Sequence, residues 1–301
     1  MGSRILMLIL YLWGKLSFAT VQRIGTFIGL VFFYLKSDMR RVARINIDKC
    51  FPELSEYHKN KLVKKTLQQN CIIGAEMPGI LFKNPQKLLK QIQVVHGGDI
   101  VQSLYKEGRG VIVVAPHLGS YEIASMYYPN KYPTAMLYTP PKIKILDELI
   151  LRARSRLCKN MSPTNYKGVK TIFRALANKK IVAMLTDQVP VDTGGTYINF
   201  FGNPAKTMNF PGKLYKRYKP AIVLNYAVRN SIGKGLTLFI ENLEPLIKHY
   251  QTIDSVTDPV ACAFNKRFEE IIKQYPDQYQ WTYKRFKYNP DGIDYYKKDK
   301  K

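Results

Sequence analysis

Residues 111–122 read Val-Ile-Val-Val-Ala-Pro-His-Leu-Gly-Ser-Tyr-Glu, and two of them have the chemistry to move protons. His117 offers an imidazole and Glu122 a carboxylate five positions later. A neutral imidazole removes the proton of a substrate hydroxyl. A carboxylate on the other ring nitrogen fixes the tautomer and steadies the imidazolium that forms. Such a pair needs no serine or cysteine nucleophile, because the acceptor hydroxyl itself attacks. On one continuous helix, five residues set two side chains about 140° apart. The pair therefore meets only if His117 lies in a loop that folds back toward Glu122. Pro116 and Gly119 supply a turn, and Ser120 can begin a helix. The competing reading is an ordinary loop histidine.

The elements that must carry this pair are legible around it. Residues 111–115 are an unbroken apolar, mostly β-branched run, which suits a strand covered on both faces of a sheet with parallel character. Such a strand delivers His117 to the carboxyl edge, where α/β sheets bind ligands. Further strands are expected at 91–95, 135–139, 181–185 and 221–228, with 236–240 as an antiparallel edge strand. Helices are expected over 57–74, 100–106, 144–158, 167–177 and 258–275, with Ser55 and Asp99 as caps. The alternation predicts an α/β fold with a mixed, largely parallel central sheet flanked by helices. Asp187 and Gln188 follow the apolar run 181–185 and should line the same edge, unless they serve only as turn and cap residues. The helix over 144–158 carries Arg152, Arg154 and Arg156. An arginine there would bind phosphate or steady an oxyanion, whereas a solvated basic face is the plainer alternative.

The first 36 residues hold Arg4, Lys15, Arg23 and Lys36 and no acid. Apolar runs at 5–13 and 24–35 are each shorter than the roughly 18 to 20 residues of a clean spanning helix. Three readings compete: a signal peptide cleaved near residues 17–19, a tilted spanning helix, and a basic apolar anchor retained at the membrane. The second apolar run, directly after the cleavage site, favours the retained anchor. Arg40, Arg41, Arg44 and Lys49 then suit anionic headgroups on the cytoplasmic face. The chain accordingly divides into an anchor (1–36), a catalytic domain (37–290) and a basic tail (291–301).

Composition narrows the partner. The 301 residues are 46% hydrophobic, which is the make-up of a folded chain. Forty-seven Lys and Arg against 22 Asp and Glu leave a net charge of +25 and predict an anionic partner. Cys50, Cys71, Cys158 and Cys262 are widely spaced, with no Cys-x-x-Cys pair and no histidine at ligand spacing. Free thiols are expected, and no metal or redox cofactor.

Several motifs then point one way. The His-x4-Glu element resembles the His-x4-Asp/Glu motif of the glycerolipid acyltransferase superfamily. Residues 40–47 followed by 50–55 (Cys-Phe-Pro-Glu-Leu-Ser), the Thr-Asp-Gln-Val-Pro at 186–190, the Phe-Phe-Gly-Asn-Pro-Ala-Lys-Thr at 200–207 and the Trp-Thr-Tyr-Lys-Arg-Phe-Lys at 281–287 resemble segments of its bacterial lipid A branch, in the same order. That resemblance implies a lauroyl/myristoyl-type acyltransferase, with His117 as base and Glu122 as its partner carboxylate. It also implies Arg154 as a functional arginine, less securely separated from Arg152 and Arg156. Asp187, Gln188, Lys206 and Arg285 join them as candidate substrate contacts, while Trp281, Arg285 and Phe286 read equally well as packing that holds the C-terminal segment. The implied donor is an acyl thioester on acyl carrier protein, and the implied acceptor a hydroxyl of a phosphorylated glycolipid at an anionic membrane surface. Tyr121 stands where Trp or Phe is frequent, and the loop 192–195 carries no acceptor signature. Another phospholipid or glycolipid acceptor stays open. A basic, membrane-tethered nucleic-acid binder is the rival from another class, but the basic residues form no single stripe and no nucleic-acid motif is present.

Overall fold

The computed structural model describes residues 2–141, 143–190 and 194–297. Asp192 and Thr193 of the 192–195 loop, residues 298–301 of the basic tail and the Arg4 side chain lie outside the described residues. The strands are β1 (Ile92–His96), β2 (Val111–Ala115), β3 (Thr134–Tyr138), β4 (Asn160–Pro163), β5 (Ile181–Leu185), β6 (Gly195–Phe200), β7 (Asn203–Met208), β8 (Ala221–Arg229) and β9 (Leu236–Asn242). The first helices are α1 (Gly2–Lys15), α2 (Phe18–Tyr34), α3 (Asp38–Cys50), α4 (Glu56–Phe82) and α5 (Pro85–Leu89). Between the strands lie α6 (Gly98–Lys106), α7 (Tyr121–Ala124), α8 (Tyr127–Lys131), α9 (Lys144–Ser155), α10 (Tyr166–Ala177) and α11 (Phe210–Tyr218). Helices α12 (Glu244–Gln251) and α13 (Pro259–Gln274) follow the last strand.

Seven strands form one sheet in the order β1-β9-β8-β2-β5-β3-β4. Strands β8, β2, β5, β3 and β4 run parallel. Strand β9 is antiparallel to β8, and β1 runs parallel to β9. The fold is therefore α/β with a mixed, largely parallel sheet. Every residue of β2 and β8 is buried, as expected for apolar strands covered by helices on both faces. The antiparallel sense expected for 236–240 holds, but its place at the edge does not. Leu236, Leu238 and Ile240 of β9 are buried, and β1, mostly exposed, takes the edge beyond them.

Local signals set several boundaries. Ser55 caps α4 by accepting from the His58 amide, and α4 continues past the expected residue 74 through Pro78 to Phe82. Asp99 does not cap α6. Gly97 does, in the left-handed region, and Asp99 sits in the first turn, where a carboxylate complements the helix dipole. Strand β4 and the β6–β7 hairpin were not expected. In that hairpin Phe201 and Gly202 form a two-residue turn, both at positive φ.

The N-terminal helices meet at 118°. No single described helix is long and apolar enough to cross a membrane; α1 and α2 pass that test only as a bent pair, by length and composition. Helix α2 lies flush on α4 through two glycines. A Cβ at Gly25 would stand 2.6 Å from the Ile72 Cα, and one at Gly29 would stand 2.4 Å from the Gln68 Cα. Outward, Ile5, Leu8, Ile9 and Leu12 of α1 and Phe27 and Val31 of α2 are exposed.

The C-terminal segment is stapled into the core. Trp281 is fully buried against Phe51, Phe201 and Tyr279. Asn46 of α3 donates its amide to the carbonyls of Trp281 and Tyr283, both at 2.7 Å, and the Tyr296 hydroxyl donates to Asn46 Oδ1. The motif at 40–47 thus holds the motif at 281–287.

Candidate active site

Strands β2 and β5 are parallel neighbours with Ala115 opposite Leu185. The ladder extends one residue further, with the Thr186 amide donating to the Ala115 carbonyl at 3.1 Å. Two steps past each paired residue lie His117 and Asp187, so the register alone sets them side by side. His117 Nδ1 stands 2.6 Å from Asp187 Oδ1, and the His117 amide donates to Asp187 Oδ2 at 2.9 Å. One carboxylate therefore holds both the ring and the backbone of His117.

Asp187 is 2% exposed. Burial acts to raise its carboxyl, but the charge of His117, two hydrogen bonds from His117 and the nearby Arg285 outweigh that and hold it below its ordinary value. An ionised carboxylate only accepts, so Nδ1 must carry the proton. Nε2 is then the basic nitrogen. It has no hydrogen-bond partner among the described residues, and the side chain keeps 11% of its surface. The Tyr279 phenol hydrogen-bonds Asp187, and burial together with that carboxylate pushes it well above its ordinary value, so it stays a donor. The Tyr121 ring packs edge-on against His117, centroids 4.8 Å apart.

The loop between β2 and α7 is pinned from several sides. Gly119 has φ +58, and a Cβ there would lie 1.8 Å from the Ala227 carbonyl oxygen. The Gly119 amide donates to the Gln278 carbonyl, and the Gln280 amide donates to the His117 carbonyl, both at 3.0 Å.

Glu122 does not reach the imidazole. The turn at Gly119 carries it onto α7, and its Oε1 accepts from Arg154 Nη2 at 2.6 Å. The carboxylate on His117 is Asp187, from a different strand. Register places it there, whereas the spacing argument followed only the local chain. Glu122 instead orients Arg154, which keeps 23% of its side-chain surface. The three arginines of the 144–158 segment separate cleanly. Arg154 meets the site carboxylate, Arg156 donates to the Ile80 and Lys83 carbonyls at the end of α4, and Arg152 is exposed.

Residues 3–288 match the family described as bacterial lipid A biosynthesis acyltransferase. The chain belongs to that family. It is 23% identical over 288 residues to the lipid A biosynthesis lauroyltransferase of Escherichia coli (strain K12), covering 95% of this chain and 91% of the relative. It is 26% identical over 285 residues to the lipid A biosynthesis palmitoleoyltransferase of the same strain, covering 94% and 90%. The myristoyltransferase of that strain is 23% identical over 273 residues, covering 90% and 81%. The chain is an acyltransferase.

Within this acyltransferase the remaining candidate residues make contacts to the protein itself. Arg285 is 1% exposed and donates to the Lys206 carbonyl and to Thr207 Oγ1. Its charge acts from behind Asp187. Lys206 offers its carbonyl to Arg285 and its ammonium to the face of Tyr288. Gln188 Nε2 donates to Gln280 Oε1 at 3.0 Å. Glu76, Arg229, Gln278 and Tyr279 escaped sequence reasoning. None lies in a recognisable chemical motif, and only buried charges in otherwise apolar elements could have drawn attention to Glu76 and Arg229.

Proposed function

We propose that this acyltransferase moves a fatty acyl chain from a thioester, carried on acyl carrier protein, to a hydroxyl of a phosphorylated lipid A precursor at the cytoplasmic face of the inner membrane. The observation that carries this reading is the His117–Asp187 pair at the carboxyl edge of the central strand, with Nε2 turned away from the carboxylate. Nε2 takes the proton of the acceptor hydroxyl as its oxygen attacks the thioester carbonyl. The imidazolium is stabilised by Asp187. When the tetrahedral intermediate collapses, the C–S bond breaks and Nε2 returns the proton to the leaving thiolate. An ester and a free thiol result, and the base is restored. Arg154, held by Glu122, supplies positive charge to an oxyanion or to a substrate phosphate.

The apolar residues exposed on α1 and α2, bordered by exposed Lys15, Arg23 and Lys36, support membrane docking. The net charge of +25 suits an anionic headgroup, a phosphorylated acceptor and an acidic carrier protein. Mass spectrometry of lipid A from cells with and without the protein tests the reading. Loss of one secondary acyl chain, restored by the wild type and not by His117→Ala, is the expected result. An unchanged lipid A profile refutes it.

A further inference from the structure

Behind the site lies a buried ionic cluster that the acyl-transfer chemistry does not use. Glu76 of α4 is 5% exposed, and its two oxygens accept four bonds. Oε1 accepts from Gln22 Nε2 at 3.1 Å and from Arg229 Nε at 3.2 Å. Oε2 accepts from Ser120 Oγ at 2.9 Å and from Arg229 Nη2 at 3.0 Å. Each donor comes from a different part of the molecule: α2, the end of β8, and the loop that carries His117. Gln22 also accepts from the Gly233 amide at 2.8 Å, which ties α2 to the β8–β9 turn. The Gln278 side chain closes the cluster by pairing with both backbone groups of Arg229 at 2.8 and 3.0 Å.

A buried ion pair is a poor way to gain stability, because desolvation offsets most of the attraction. What this one supplies is direction. Four donors around one carboxylate fix its plane, and that plane fixes the Ser120 hydroxyl, three residues after the catalytic base. Ser120 has no other hydrogen-bonding side-chain partner among the described residues. Helix α2 is thus wired to the loop that carries the base through three side chains, Gln22, Glu76 and Ser120. On its outer side α2 exposes Phe27 and Val31; on its inner side it packs against the α4 backbone at Gly25 and Gly29, with no room for a Cβ at either.

We infer that Gln22, Glu76 and Ser120 form a positioning relay that makes α2 a working part of the catalytic scaffold and not merely an anchor. The inference rests on His117 as the base. Full-length Gln22→Met and Ser120→Ala test it, each with labelled acyl carrier protein thioester and lipid A precursor in vesicles of phosphatidylethanolamine and phosphatidylglycerol. Gln22→Met keeps the side-chain length and removes only the polar contacts. In both variants kcat per folded molecule should fall about 10- to 100-fold, the effect of a sub-ångström misplacement of a base. KM for donor and acceptor should stay within about threefold, and co-sedimentation with vesicles should match the wild type. The double variant should lose no more than the worse single variant, because both substitutions cut one route.

Ser120→Ala leaves α2 untouched, so it reports on the relay even where Gln22→Met fails to fold. Wild-type kcat in Ser120→Ala, additive losses in the double variant, or a loss in Gln22→Met that tracks lost vesicle binding each overturn the inference. His117→Ala separates the two levels. If it is inactive while Ser120→Ala is normal, only the relay fails. If it retains turnover, the base assignment fails and the relay with it.

Discussion

Replacing Asp187 by asparagine keeps the shape of the side chain and removes its charge. The structure predicts more than a lost ion pair. Asp187 accepts from the His117 amide with one oxygen and faces Nδ1 with the other. Asparagine has one acceptor, and the backbone amide cannot turn away to find another. The asparagine carbonyl therefore goes to the amide, and its NH2 faces Nδ1. Nδ1 must then accept, the ring proton moves to Nε2, and the nitrogen that should take the substrate proton already carries one. Reversing the amide restores the tautomer but leaves a buried N–H unpaired, at a cost of about 1–3 kcal/mol. The imidazolium formed during catalysis also loses its counter-charge, worth about 4 kcal/mol at a separation of about 4 Å and an effective dielectric of about 20. Together these correspond to a fall in kcat of about 5,000- to 100,000-fold. Single-turnover acyl transfer with saturating donor reads it, and nitrogen chemical shifts of the His117 ring report the tautomer. A variant within tenfold of wild type, or one that slows with the Nδ1–H tautomer intact, refutes the reasoning.

Other outcomes follow from the same geometry. Glu122→Gln frees Arg154 without touching His117, so it should raise KM for an anionic substrate about tenfold and change kcat far less, as steady-state kinetics would show. If Glu122→Gln instead matches Asp187→Asn in kcat, the assignment of the two carboxylates is wrong. Asn46→Ala strands the Trp281 and Tyr283 carbonyls and should cost about 3 kcal/mol, seen as a lower urea midpoint. Asp187 is held below its ordinary value of 3.8 in the folded state. Its stabilisation is therefore complete above that value and is lost as pH falls through the lower folded value. The stability gap between wild type and Asp187→Asn should be constant above pH 3.8 and close below it, measured by urea unfolding across that range.

The strands with strong apolar runs were legible because burial on both faces writes itself into composition. Residues 111–115 and 181–185 match β2 and β5 end to end. Strand β4, Asn160–Pro163, was not legible, since Asn160, Ser162 and Pro163 are poor strand formers around a single apolar Met161 and its pairing is with β3. The hairpin at Gly195–Met208 hid behind a motif whose turn stands at Phe201 and Gly202, with a bulky residue at positive φ. For the site, the sequence named His117, Asp187, Glu122 and Arg154 but joined them wrongly. Spacing along the chain linked His117 to Glu122. The decisive pairing came from the register of two strands seventy residues apart, which no local pattern encodes. Glu76 and Arg229 were invisible for a related reason: a buried charge looks the same in a sequence as a solvated one.

The C-terminal segment has a consequence for how the enzyme is born. The loop that carries His117 takes its Gly119 contact from Gln278 and its His117 carbonyl contact from Gln280, residues far downstream of it in the chain. During synthesis the strand that leads to His117 is made well before its clamp. The loop that carries His117 can therefore take its final form only once residues 278–280 are made and docked against it.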